Sequence, residues 1–94
     1  MPAIIIRHRV ADFDKWLEAY EDHAAARKAA GAIKSVVWQD VSDENNVFIL
    51  VKVDDLARAR EFVASDELKQ AMQAAGVLEE PSVHFVENGR QYDG

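Results

Sequence analysis

Residues 33–53, IKSVVWQDVSDENNVFILVKV, decide the fold. Two runs rich in Val, Ile, Phe and Trp flank a polar segment. β-Branched and aromatic side chains suit a pleated sheet, whereas Asp, Ser and Asn tolerate the backbone angles of a turn. Residues 33–40 therefore read as a strand, VSDENN (41–46) as a turn, and 47–53 as a strand folded back to make a hairpin. Side chains alternate across a strand, so Val47, Ile49, Val51 and Val53 share one face. Phe48 and Leu50 take the other, with Lys52 near the end. Both faces of this strand are apolar, and both need cover.

Helical patterns lie on each side of the hairpin. Upstream, AIIIRHRV (3–10) is β-branched and then alternates with charge, as a strand does. Asp12 can accept from the free amides of a first helical turn. Residues 13–30 contain no Gly or Pro, and Phe13, Trp16, Leu17, Tyr20 and Ala24 recur at helical spacing as one apolar stripe. Gly31 supplies the left-handed geometry that stops the helix. Downstream, Asp54 and Asp55 cap a helix carrying Leu56, Ala59, Phe62 and Val63. Ser65 restarts it, Leu68, Ala71, Met72 and Ala75 form the next stripe, and Gly76 ends it. Residues 82–87, SVHFVE, make the last strand, and 88–94 form a polar tail. The order is β-α-β-β-α-β, the ferredoxin-like α+β arrangement with a four-stranded antiparallel-type sheet. Right-handed crossovers are expected to set the first and third strands side by side at the centre, parallel to each other. All 94 residues fit one domain.

Composition narrows the partners. A formal net charge of -6 repels phosphate backbones, so nucleic acid is not an expected partner. No apolar run approaches the roughly 20 residues of a membrane span, and the first residues are apolar before any charge, the reverse of a secretory leader. A cytoplasmic location is the expectation. The absence of cysteine excludes disulfides and thiolate metal sites. No HxxxH or HExxH spacing occurs, and no metal or bound organic cofactor is expected.

Two helices cover only one side of a four-stranded sheet. The other side then exposes Phe48 and Leu50, together with either Val36/Trp38 or Ile33/Val37. A patch of a few hundred Å² usually marks an interface. At about 25 cal/mol per Å² its burial is worth several kcal/mol. A homodimer with sheets face to face is the expected assembly.

The element order, HRVADFDKW (8–16), DDLARAREFVASDELKQAMQAAGV (54–77) and the closing HFVE (84–87) resemble the dimeric α/β-barrel superfamily, whose best-known members are antibiotic-biosynthesis-monooxygenase-like proteins. The resemblance covers nearly the whole chain through mostly structural motifs. It implies a range of activities: cofactor-independent oxygenation of quinols and polyketides, polyketide cyclisation, isomerisation and haem degradation. The haem-degrading branch relies on a strand asparagine. The first strand here carries His8 and no Asn, a departure from that pattern.

The candidate chemistry follows from parity and burial. His8 shares a face with Ile4, Ile6 and Val10 that points at the helices. Desolvation there lowers an imidazole pKa and keeps the neutral base near pH 7. Some cyclases of this fold resemble that placement, with a strand histidine as the acid–base group; a structural, hydrogen-bonded histidine is the competing reading. His84 lies on the strand next to the first and joins His8 in only one register. His23 borders the apolar stripe and reads as a helix-flank histidine. Tyr20 has a phenol that can donate to a substrate oxygen. Trp16, Trp38, Phe62 and Met72 are candidate walls for a flat aromatic ligand, or plain core, and Arg27 is a candidate anion clamp. The function expected is a small enzyme on an aromatic or polyketide-like molecule, of cofactor-independent monooxygenase or cyclase type. His8 would be base, with His84 or Tyr20 as hydrogen-bonding partner. The alternative is a non-catalytic dimeric module that binds a small molecule or a protein.

Overall fold

Strand β1 (Ala3–Arg9) runs through the middle of the sheet and ends where Asp12 caps helix α1 (Phe13–Asp22). The cap is direct: Asp12 Oδ1 accepts from the backbone N–H groups of Asp14 and Lys15 at 3.0 and 3.3 Å. The computed structural model describes residues 1–94. After a break at His23 the chain continues as α2 (Ala24–Ala29), β2 (Ala32–Asp40), β3 (Asp43–Val53), α3 (Leu56–Ala64), α4 (Asp66–Ala74) and β4 (Ser82–Val86). Asp55 caps α3, and the Ser65 hydroxyl caps α4 by accepting from Leu68 N–H. No helix is long and apolar enough to cross a membrane.

The sheet order is β2-β3-β1-β4, and every neighbouring pair is antiparallel. This is the ferredoxin-like α+β architecture, with one correction. β1 and β3 are adjacent at the centre, but antiparallel rather than parallel. The crossover through α1 and α2 returns β2 parallel to β1, and the hairpin then reverses β3, which slots between them.

Three local features depart from the sequence reading. The turn of the hairpin is only Val41 and Ser42, so β3 begins four residues early, at Asp43. Asp40 Oδ1 accepts from Ser42 N–H at 2.9 Å, which tightens that turn. β2 carries an irregularity between Ala32 and Lys34, and beyond it Val36 and Trp38 face Leu50 and Phe48. Finally, the helix expected over 13–30 is interrupted at His23, whose backbone sits at φ -89°, ψ 7°. Its N–H is shared between the carbonyls of Ala19 and Tyr20, and Arg27 Nη1 donates to the Tyr20 carbonyl at 2.5 Å. A side chain thus takes up a backbone acceptor at the break.

The core lies between the sheet's inner face and the helices. Ile4, Val10, Trp16, Val47, Ile49, Val51, Val53 and Ala59 are buried in one cluster. Burying each of the larger aliphatic side chains is worth about 1.5–3 kcal/mol, and β3 alone contributes four of them. Both ends of the layered structure are tied. At one, Gly31 takes φ +99°, where a side chain would also collide with the Asp54 carboxylate. There Asp54 N–H donates to Gly31 O at 3.0 Å, and Arg58 Nη2 donates to Ala29 O at 2.6 Å. At the other, Val10 bridges to Val77 and Ala11 N–H donates to Gly76 O at 2.9 Å.

The outer face has two characters. Ile5, Val36, Trp38 and Phe48 expose apolar surface, and Trp38 is 52% exposed. Next to them Arg7 Nε donates to Asn46 Oδ1 at 2.8 Å, and Asn46 Nδ2 donates to Asp40 Oδ2 at 2.9 Å. Arg9 pairs with Asp43 at 2.5 Å and with Glu79 at 3.4 Å. The Ser42 amide, with the Asn46 side chain, holds the Asp40 carboxyl below the usual carboxylate range. The two arginines flanking His8 in the sequence thus tie down the hairpin on the face opposite the histidine.

Candidate active site in the sheet–helix cleft

A cavity of about 380 Å³ opens between the inner face of the sheet and the four helices. Strand parity supplies its floor: Ile4, Ile6 and His8 from β1, Ile49, Val51 and Val53 from β3. The apolar stripes of the helices supply its walls, with Trp16, Ala19 and Tyr20 on one side and Phe62, Leu68 and Met72 on the other. The volume suits a ligand of two or three fused rings, within the roughly 300–1,000 Å³ of small-molecule sites.

His8 is 4% exposed, and neither ring nitrogen has a protein hydrogen-bond partner. Its ring meets Trp16 edge to face at 5.3 Å between centroids. Burial pushes its pKa down to about 4, so at neutral pH it is an uncharged imidazole with a free acceptor nitrogen. The Tyr20 hydroxyl is likewise buried and without a protein partner. Its ring stacks on Trp16 at 5.0 Å and carries the Arg27 guanidinium 3.5 Å above its centroid. Burial lowers the Arg27 pKa as well, from a value high enough that the side chain remains a cation. Buried polar atoms without partners are uncommon in folded proteins, because each costs about 1–3 kcal/mol. Three such atoms belong to residues lining one cavity.

The cleft brings together six of the eight residues singled out from the sequence: His8, Tyr20, Trp16, Arg27, Phe62 and Met72. It does not include the other two. His84 is paired with Ile5 across β1–β4, which puts it on the outer face, where its Nε2 lies 3.2 Å from Ser82 Oγ. The expected partnership of His84 with His8 therefore fails: His84 faces outward, and its partner Ile5 lies three residues from His8 along β1. Trp38 is on the outer face too, opposite Phe48, and cannot wall the cavity. His23, read from the sequence as a flank residue, lines the cleft instead and stacks with Phe62 at 6.1 Å across it. Its position three residues after Tyr20 was the available signal, obscured by the helix break. No group of three His, Cys, Asp or Glu side chains is arranged to hold a metal ion.

The folded shape has solved counterparts over nearly its full length. An antibiotic biosynthesis monooxygenase superposes with TM-score 0.71 at 13% identity, covering 96% of this chain and 100% of that one. The chain has the antibiotic biosynthesis monooxygenase fold. SnoaB, a cofactor-independent oxygenase from Streptomyces nogalater, gives 0.71 at 15% identity, with 97% and 94% covered. A conserved protein from Methanosarcina mazei gives 0.72 at 12%, with 94% and 92% covered. No protein-family model matches the chain. In sequence, a leucine–tRNA ligase from Shewanella pealeana is 37% identical over 62 residues, 62% of this chain. The chain spans 7% of that ligase's length. At these identities the structural likeness establishes the fold, and the cleft's own chemistry has to carry the function.

Proposed function

We propose that the protein is a small enzyme that oxygenates a flat aromatic or polyketide-like carbon acid, with His8 as its base. The observation that carries this reading is the neutral, unpartnered imidazole buried in an apolar cavity of ring-sized volume. A free nitrogen of His8 takes a proton from an acidic C–H or O–H conjugated with the ligand's rings. The resulting carbanion is an electron donor in its own right. It passes one electron to O2, and the radical and superoxide combine as a carbon-bound peroxide. The imidazolium returns its proton to the peroxide, which loses water and leaves a carbonyl. A methylene and O2 thereby give C=O and H2O, with one oxygen atom in each product. The cofactor-independent oxygenase SnoaB, on the same fold, supports this class of chemistry.

A pKa near 4 makes His8 a weak base in the empty cleft, and the ligand changes that. Restoring the ordinary value of 6.5 requires about 3 kcal/mol. An anion formed about 4 Å from the imidazolium supplies about 4 kcal/mol at an effective dielectric of about 20. The proton transfer is therefore favoured only when it creates an ion pair inside the cleft. Tyr20 is suited to donate a hydrogen bond to the substrate oxygen on which the negative charge collects.

We also propose that two copies meet through the apolar part of the outer face, with Trp38, Val36, Phe48 and Leu50 at the centre. For the enzyme reading, anthrone is a suitable probe, with oxygen uptake and anthraquinone formation measured together. Wild type should accelerate both in a 1:1 ratio, and His8→Ala should fall to the buffer rate while keeping its circular dichroism. Equal rates for the two proteins would refute the role of His8. Anthrone binding without oxygen uptake by wild type would replace the enzyme with a binding module.

A further inference from the structure

Arg27 is the only arginine or lysine lining the cleft, and it makes no ion pair. Arg9 has Asp43 and Glu79, and Arg58 has Asp54. Arg27 spends one N–H on the Tyr20 carbonyl and its guanidinium carbon sits over the Tyr20 ring, two contacts that restrict the position of its fork. A guanidinium has five N–H donors in rigid geometry, matched to the two oxygens of a carboxylate. Asp22 also lines the cleft but is not paired with it. The remaining surroundings are mostly apolar. His8 and Arg27 stand at opposite ends of a row of ring contacts, 5.3 Å from His8 to Trp16, 5.0 Å from Trp16 to Tyr20 and 3.5 Å from Tyr20 to the guanidinium. The site thus has a neutral polar end and a cationic end, separated by aromatic wall.

We infer that the cleft selects flat apolar ligands that carry a carboxylate, and that Arg27 receives this group while the ring to be deprotonated lies at His8. The inference rests on the cleft being the ligand site, as proposed above, and adds the charge and orientation of what it takes. On a chain of net charge -6 the general field repels anions, so a local cation has to select them.

Binding of 2-naphthoate and of its neutral isostere 2-naphthamide, by isothermal titration near neutral pH, separates the claims. Wild type should bind naphthoate at least about tenfold tighter than naphthamide, the usual worth of a charge-assisted, two-point hydrogen bond. Arg27→Gln should bind the two probes equally. Equal affinities in wild type, or a preference that survives in Arg27→Gln, would overturn the clamp while leaving the cleft as the ligand site. Failure of both probes to bind wild type would overturn the cleft reading and the clamp with it. If Arg27→Gln loses naphthamide as well, its fold is at fault and Arg27→Lys decides. Lysine keeps the charge but loses the fork, so a preference cut about threefold or more supports the clamp, and an unchanged one overturns it.

Discussion

Replacing His8 by leucine should make the protein more stable, and should remove one specific part of its acid sensitivity. The imidazole is buried with both nitrogens unpartnered, a cost of about 1–3 kcal/mol that a leucine of similar volume avoids. The pH dependence is sharper. His8 has a folded pKa of about 4 against 6.5 for an ordinary histidine. Between these values the unfolded chain binds a proton that the folded chain refuses. Stability is therefore fully present above about pH 6.5, falls by about 1.4 kcal/mol per pH unit below it, and levels off beneath about pH 4. The total loss from this one group is about 3 kcal/mol. Urea unfolding of wild type and His8→Leu at about pH 7.5, 6.5, 5.5 and 4.5 measures it, because carboxylates shared by both proteins cancel in the difference. The gap between the two should widen as pH falls, with the leucine variant the more stable at every point. A constant gap would show that His8 is solvated or partnered in solution, and would remove the physical basis for its role as a desolvated base.

Leu50→Asp tests the proposed assembly, because a carboxylate at the centre of a face-to-face interface is buried without a partner at a cost of several kcal/mol. Light scattering over a micromolar-to-nanomolar dilution series should show wild type as a dimer and the variant as a monomer; a monomeric wild type at high micromolar concentration would refute it. Tyr20→Phe removes a buried hydroxyl that has no protein partner, so its melting temperature should hold or rise while anthrone turnover falls about tenfold or more. A loss of stability of about 1 kcal/mol or more would mean that the hydroxyl is satisfied within the fold and is not free for a ligand.

The sequence carries the element order because its signals are local: Asp12, Asp55 and Ser65 cap helices, and Gly31 and Gly76 end them with positive φ. The inner face was readable for the same reason, since Val47, Ile49, Val51 and Val53 keep one parity on one strand. What failed was relational. Strand β4 begins after a seven-residue connection, and one residue of slip sends His84 to either face. The orientation of β3 against β1 depends on where a crossover returns, which no stretch of β1 or β3 encodes. Trp38 was ambiguous because the irregularity between Ala32 and Lys34 shifts parity within a strand. The break at His23 has no Gly or Pro to announce it. It is accompanied by Arg27 reaching back to the Tyr20 carbonyl, a contact between residues seven apart.

The stack of His23 on Phe62 bears on how a molecule reaches the cleft. Hydrogen bonds close both ends of the layered structure, through Gly31, Asp54 and Arg58 at one and through Ala11 and Gly76 at the other. Between these ends the α1–α2 side and the α3–α4 side scarcely touch. For the ligand site proposed above, sideways entry would part this one pair of rings and break no helix or strand hydrogen bond. Loop and side-chain rearrangements of that kind take nanoseconds to microseconds, far faster than local unfolding. The ring pair at residues 23 and 62 and the hydrogen bonds at either end are separate contacts, so a substitution at one leaves the other in place.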